Sequence, residues 1–457
     1  MSLKKSIIKV FTTNIVQLVS NIIIGFVVPA ILSVNSYSNL KTYTLYLSYI
    51  GLLHFGFIDG LYIKYGGKSR NNINYRELKS EHSFLLITEF FISLLFIIIS
   101  FFLHNIILFL FGLTIFPYMM QSFHRYVFQA IGDFNKYSII MNTYTISFLI
   151  MNIVLAIIFK SKNYVLYCLA TLFANVIAMV FFEINFYLNT RNIKSKISKK
   201  NFLIIKIGIF VMLGNLAVMG LFGIDKWFIK IFFNSREFAY YSFAVSMMNI
   251  INILVNAISI TFYSYLFDNN SDEKINVIKD DLLVLGSLSS ISYFPLAIIV
   301  KVFIPKYIAA LGIISITFSI FPFLAVINAL YINLYKINKD EKKYFKVVIS
   351  MLVLSIIYNI IALLFHSTYC IAIATLATMI TWFIYSSVDL KKINVSFLTV
   401  LYPIMLSVTF LVFAHFFSDL LGFLLYTITF IVISLICNRN AFKSIKEVIV
   451  KKRRIIR

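Results

Sequence analysis

The chain has 457 residues, of which 60% are hydrophobic and 13% charged, and its formal net charge is +23. Soluble domains of this length do not have such a composition, so the sequence predicts an all-α integral membrane protein. Its three cysteines, Cys168, Cys370 and Cys437, lie in apolar contexts without CxxC spacing or a nearby His. This pattern argues against a haem, a disulfide framework or a metal site, and we expect no cofactor.

Apolar stretches of membrane length recur along the whole chain and predict about fourteen transmembrane helices. The expected spans are 6–32, 40–62, 83–103, 105–123, 138–159, 164–188, 203–224 or beyond, 238–267, 281–300, 307–335, 347–365, 369–388, 397–414 and 420–437. The first span is too long for a signal peptide and lacks a small-residue cleavage site, so we expect it to remain in the protein.

The distribution of basic residues predicts the orientation of the helices. With the amino terminus placed in the cytoplasm, 33 of the 41 Lys and Arg residues fall in inner segments and eight in outer ones. Such a bias is typical of cytoplasmic loops and places both termini inside. The charge is then explained by topology and by anionic headgroups, and nucleic acid is not an expected partner.

Short similarities at an offset of about 200 residues indicate an internal duplication. The basic start of the first helix matches residues 199–206, and Tyr167–Leu172 matches the segment from Tyr369 to Leu376. We therefore predict a six-helix lobe at 1–192, a second six-helix lobe at 193–393, and two extra helices with a basic tail at 394–457. Six is an even number, so the repeats are parallel, as in one class of transporters.

The first helix carries a stripe of amides, and the second ends in charged residues. Asn14, Gln17 and Asn21 are spaced at i, i+3 and i+7, so they share one helix face that suits either a sugar or a neighbouring helix. Lys9 precedes this stripe. Asp59 and Lys64 stand near the inner end of the second helix, and their spacing of five does not by itself form an ion pair.

Two carboxylates, Glu89 in the third helix and Glu183 in the sixth, lie at membrane depth. Each is a candidate for coupling transport to protons or for a buried structural contact, and the structural reading is favoured. The inner connections from Lys64 to His82 and from Asn189 to Asn201 are basic and polar, so we interpret them as solvated loops.

The seventh span carries unusual charges, because Asp225, Lys226 and Lys230 interrupt an apolar run. Either they sit at the outer interface, or the helix continues to Phe233 and they line an aqueous cavity. Lys206, equivalent to Lys9 by the repeat, marks the inner end of the same span. The loops are too short for a soluble catalytic domain and their His and acidic residues are scattered, so we do not expect an enzyme.

Three segments together resemble a known family. They are Asp59–Gly60 followed by Lys64–Lys68, the stretch Gln129–Tyr137, and Ile224–Lys226 followed by Tyr240 or Tyr241 and an Ala. This pattern is similar to that of the polysaccharide repeat-unit flippases (Wzx type) of the multidrug/oligosaccharidyl-lipid/polysaccharide exporter superfamily. The resemblance implies a two-lobe bundle with a central cavity lined mainly by helices 1, 2, 7 and 8. It also implies movement of undecaprenyl-diphosphate-linked oligosaccharide units, for O-antigen or capsule, across the bacterial inner membrane.

Such a substrate needs positive charge for its diphosphate and amide groups for its sugars. The expected cavity residues are Lys9, Asn14, Gln17, Asn21, Asp59, Lys64, Lys206, Asp225, Lys226 and Lys230. The expected partners are the lipid-linked oligosaccharide and the bilayer, with a polysaccharide polymerase and a chain-length regulator as further candidates. A cation-coupled drug or metabolite exporter and a peptidoglycan lipid-precursor flippase of the same superfamily are the alternatives.

Overall fold

A computed structural model describes residues 3–268, 271–338, 340–390 and 393–438. Within these ranges the regular structure is helical and contains no strand, which confirms the predicted all-α class. The chain divides into two compact units, Met1–Met219 and Gly220–Arg457. The predicted lobe boundaries at 192 and 393 stay predictions.

The first unit contains eight α-helices along its described residues. They are α1 (Leu3–Ile31), α2 (Val34–Ser48), α3 (Phe57–Tyr65), α4 (Tyr75–Phe102), α5 (Ile106–Ala130), α6 (Phe134–Ile153), α7 (Tyr164–Thr190) and α8 (Lys199–Leu221). A π-helical turn at Val154–Ile158 extends α6. The main packing pairs are α4 with α5, α1 with α6, and α7 with both α5 and α6.

The second unit begins near the end of α8. Its described helices are α9 (Ile224–Phe232), α10 (Ser235–Asp268), α11 (Asp272–Ile291), α12 (Tyr293–Phe303), α13 (Leu311–Phe318), α14 (Phe321–Val326), α15 (Ile332–Ile337), α16 (Glu341–Leu363), α17 (Thr368–Asp389), α18 (Phe397–Phe416) and α19 (Asp419–Cys437). Here α11 packs on α14, α16 on α17, and α18 on α19.

Among the described residues, eleven helices are long and apolar enough to cross a membrane, and thirteen are if each of two bent pairs counts as one span. These thirteen match thirteen of the expected positions. The remaining expected span, 238–267, coincides with α10, a 34-residue helix outside that count. Length and apolarity of the runs therefore predicted where the helices lie.

Three of the expected helices are not straight. The second span bends by 53° between Val34–Leu52 and Phe57–Tyr65, and the tenth by 45° between Pro305–Phe318 and Phe321–Ile337. The alternative in which the seventh helix continues to Phe233 is wrong. It ends at Leu221, and α9 starts anew at Ile224 after Gly223, a residue that departs from helical geometry at φ −138°.

The predicted loop from Lys64 to His82 is also too long, because α4 already begins at Tyr75. The Asn74 side chain accepts hydrogen bonds from the backbone N–H groups of Arg76 and Glu77, so it caps the helix. Asn and Asp residues cap the next three helices in the same manner, and these caps are Asn105 for α5, Asp133 for α6 and Asn163 for α7.

Polarity within the first unit is inverted relative to a soluble protein. On α4, Glu89 and Ser93 are buried, whereas Phe91 and Leu95 on the same helix are more than half exposed. The hydroxyl of Ser93 donates a 2.6 Å hydrogen bond to the Gly112 carbonyl of α5. Lipid solvates the apolar side chains, and polar groups find partners between helices.

Candidate functional site

Close backbone contact holds α8 against α3 in the first unit. Gly56 and Gly60, spaced as in a GxxxG pattern, face Gly208 of α8 so closely that a Cβ on Gly208 would overlap both. Gly56 is also in a left-handed conformation, with φ +84°, at the bend before α3. Glycine is therefore required here both for the turn and for the approach of the two helices.

Asp59 lies beside this crossing and is buried. Its carboxylate accepts a 3.4 Å hydrogen bond from the Asn215 amide of α8, and Nε2 of His54 lies 3.8 Å from its other oxygen. Asp59 thus has polar neighbours from two segments, whereas Lys64 is paired elsewhere. The Asp59 carboxylate can link α3 to α8.

Lys64 is paired with acidic residues of α4. Its Nζ lies 2.9 Å from Glu77 and in direct contact with Glu81, whose side chain is only 1% exposed. The hydroxyl of Tyr65 donates a 2.7 Å hydrogen bond to the second oxygen of Glu81. A buried carboxylate needs such compensation, so the position of Lys64 is explained by a structural role.

The amide stripe of α1 lies beside a buried face. Thr13 and Ser20 are buried, whereas Asn14, Gln17 and Asn21 are half-buried. The helical spacing places the three amides together on the flank of that buried face. Lys9, one turn earlier, donates a hydrogen bond to the Asn135 side chain at the start of α6. These groups can bind a hydroxyl-rich ligand or a neighbouring helix.

In the second unit, Asp225 is the centre of a buried polar cluster. It accepts hydrogen bonds from the Tyr241 hydroxyl at 2.6 Å and from the Thr375 hydroxyl at 3.4 Å. The backbone N–H of Lys226 donates a third, at 2.7 Å. This cluster joins α9, α10 and α17, and neither Tyr241 nor Thr375 was identified as its partner from the sequence.

The three lysines of α8 and α9 differ in exposure. Lys206 on α8 is exposed, and Lys226 and Lys230 on α9 are half-buried. The ammonium group of Lys230 lies 5.2 Å from the centre of the Phe238 ring, within the range of a cation–π contact. These side chains can supply positive charge to an anionic ligand.

Glu89 is the most isolated carboxylate of the described chain. It is 1% exposed, and neither of its oxygens has a hydrogen-bond partner. An ionised carboxylate at membrane depth is costly unless it is paired or hydrated. Glu89 therefore keeps its place among the candidates for binding a proton or a cation.

Glu183, in contrast, is fully engaged. It accepts hydrogen bonds from Nε2 of His82, at 2.9 Å, and from Nε2 of His124, also at 2.9 Å. The three residues come from α7, α4 and α5, and both histidines are buried. Of these three residues, only Glu183 was identified as a candidate from the sequence. The polar residues within three apolar helices were the signal for the cluster.

A cavity of about 240 Å³ adjoins this cluster inside the first unit. His124 forms part of its wall, together with aromatic side chains of α5 and α7. Arg70 and Lys136 contribute positive charge, and Asn185 and Asn189 contribute amides, while none of its lining residues is acidic. The cavity therefore favours a neutral or anionic occupant.

The described chain is an all-helical membrane protein, and its fold is similar to that of two solved transporter structures. The structure of Lipid II flippase MurJ in an inward closed conformation matches 96% of this chain and 99% of its own, with a TM-score of 0.69 at 15% identity. An inward-facing multidrug resistance MATE family transporter of the MOP superfamily matches 83% of this chain and 98% of its own, with a TM-score of 0.57 at 14% identity.

At such low identity, these two matches show the shared fold. No protein-family model matches the chain, and no curated protein sequence does.

Proposed function

We propose that this protein is a flippase that carries undecaprenyl-diphosphate-linked oligosaccharide repeat units from the inner to the outer leaflet of a bacterial cytoplasmic membrane. The observation that supports this most strongly is the likeness to a lipid flippase over nearly the whole length of both chains. The sequence resemblance to polysaccharide repeat-unit flippases independently points to the same kind of substrate.

The chemistry of the substrate assigns roles to the candidate residues. A diphosphate requires cationic donors, and the exposed Lys206 and half-buried Lys226 meet that requirement with Lys9 and Lys230 as further contributors. The amides of Asn14, Gln17 and Asn21 can bind sugar hydroxyls. Asp59, Lys64 and Asp225 act by holding helices in position, because their polar groups already have partners within their own unit.

The energy for transport has two candidate sources. An inside-negative membrane potential favours outward movement of an anionic head by about 2.3 kcal/mol per charge per 100 mV. A proton gradient is the second source, with Glu89 as the proposed coupling residue because its carboxyl is buried without a partner among the described residues.

The first experiment depletes the protein in its native cells and analyses lipid-diphosphate intermediates by mass spectrometry, with lectin access to the outer leaflet measured in parallel. We expect a complete oligosaccharide unit to accumulate and to be hidden from the lectin. Unchanged lipid intermediates and unchanged surface polymer would contradict the proposal.

The second candidate function is a flippase for a peptidoglycan lipid precursor, which the match to the Lipid II flippase favours. The same experiment separates the two, because the mass of the accumulated lipid identifies its saccharide. An amino-sugar and peptide mass would select the peptidoglycan precursor. The likeness to a multidrug transporter supports a drug or metabolite exporter as a third candidate. For such an exporter, depletion should cause no lipid-diphosphate intermediate to accumulate.

A further experiment tests the phosphate contacts. Lys206→Ala and Lys226→Ala should reduce translocation by about tenfold or more each, as expected for a lost charge-assisted contact, whereas the Arg variants should largely preserve it. Lys346→Ala, at an exposed position of α16, serves as the control. Equal activity of the Ala and Arg variants would remove phosphate contact from the proposal.

A further inference from the structure

We propose that His82, His124 and Glu183 form a binding site for a divalent transition-metal ion of the Zn²⁺ class. The side chains come from three helices of the first unit, α4, α5 and α7, and their ligand atoms all lie within 4.8 Å of one another. This site is separate from the residues assigned to substrate contact. Metal binding at these residues does not depend on which molecule the protein transports.

The distances fit a metal site after a small movement. Nε2 of each histidine lies 2.9 Å from a Glu183 oxygen. Ligand atoms about 2.0–2.1 Å from a tetrahedral Zn²⁺ are about 3.3 Å apart, so each histidine nitrogen would move a few tenths of an ångström away from Glu183. The ligand atoms of the two imidazoles, which lie within 4.8 Å of each other, would adjust to the same separation. The proton on each Nε2 would move to Nδ1, which leaves both imidazoles neutral.

The donor set selects the class of metal. Two imidazole nitrogens and one carboxylate suit Zn²⁺ and its first-row neighbours, whereas Mg²⁺ and Ca²⁺ prefer oxygen ligands alone. Three protein ligands leave a coordination position open. The cavity that His124 lines has room for the water or anion that would complete the site.

Neighbouring aromatic rings fix the two histidines, whereas a nearby lysine disfavours a bound cation. His82 packs against the Phe186 ring, with centroids 4.4 Å apart, and His124 is 5.5 Å from the same ring, so both imidazoles are fixed in orientation. Lys136 lines the same cavity as His124 and opposes additional positive charge there. Glu183 and an anion in the adjoining cavity would offset that repulsion. A bound ion would tie α4, α5 and α7 together.

The test measures Zn²⁺ bound to the full-length protein in detergent, purified with an affinity tag that contains no histidine. After incubation with Zn²⁺ and desalting, we expect about one ion per chain by elemental analysis and a higher unfolding temperature than with Mg²⁺. Glu183→Gln preserves the size of the side chain but removes its charge, and should lower Zn²⁺ affinity by about tenfold or more.

His124→Gln should likewise lower Zn²⁺ affinity, while His104→Gln, which replaces an exposed histidine outside the cluster, should leave the affinity unchanged. X-ray absorption at the zinc edge of the wild-type protein provides a measurement that does not depend on the folding of any variant. It should show two imidazole ligands. No binding by the wild type, equal binding by Glu183→Gln, or a spectrum without two imidazoles would overturn the proposal.

Discussion

The Tyr241 hydroxyl donates a 2.6 Å hydrogen bond to Oδ2 of Asp225, and both residues are buried in the second unit. They are sixteen positions apart, on α10 and α9, so the bond fixes the angle at which α9 meets α10. The carboxylate therefore has a structural role, whatever it contributes to substrate binding.

Tyr241→Phe should lower the free energy of unfolding by about 1–3 kcal/mol, because it leaves a buried carboxylate without its shortest side-chain donor. Thermal or denaturant unfolding in detergent measures the change. In the double variant with Asp225→Asn, the two effects should fall short of additivity by about 0.5 kcal/mol or more. Full additivity would mean that the two side chains do not stabilise the unit through this bond.

Lys64→Met should destabilise the protein by about 3–5 kcal/mol or prevent its accumulation, since it leaves the Glu81 carboxylate buried without a counter-charge. Adding Glu81→Gln should restore much of the loss, because the remaining side chain is neutral. Monodisperse yield and unfolding temperature report the rescue. Glu77→Gln in place of Glu81→Gln is the matched control, since Glu77 is largely exposed and should rescue little.

The positions of the helices could be predicted from the sequence, whereas their bends and partners could not. A run of about 20 apolar residues has few alternatives to a membrane helix, and this local rule predicted the expected spans. The break after Leu221 depends on Gly223, which ends a helix in some contexts and is tolerated in others. The residues around Gly223 do not indicate whether the helix ends there or continues.

The polar contacts depend on tertiary packing. Glu183 meets His82 and His124 from 101 and 59 positions away, and a single sequence gives no register between these helices. Lys64 was predicted near a substrate, but its partners Glu77 and Glu81 were assigned to a loop. Recognising Asn74 as a cap would have placed both on α4 and suggested the pair.

Glu89→Gln should change the free energy of unfolding by less than about 0.5 kcal/mol if the carboxyl is neutral in the folded protein, because the amide has the same size. An ionised carboxylate without a partner would instead make the Gln variant clearly more stable. In a vesicle translocation assay, we expect this variant to lose stimulation by a proton gradient. Retention of full stimulation would exclude Glu89 as the coupling residue.

Gly208→Ala should destabilise the first unit by about 1–3 kcal/mol, the usual cost of overpacking. The new Cβ would overlap the Gly56 carbonyl oxygen and the Gly60 nitrogen, and a backbone cannot rotate away as a side chain can. Gly214→Ala on the same helix is the control, because a Cβ there meets no atom within 4 Å. Alanine is the better helix former by up to about 1 kcal/mol, so Gly214→Ala should be neutral or stabilising. Comparing the unfolding temperatures of the two variants separates the effect of steric overlap at Gly208 from the effect of helix propensity. Equal effects of the two substitutions would mean that α3 and α8 do not cross at Gly208.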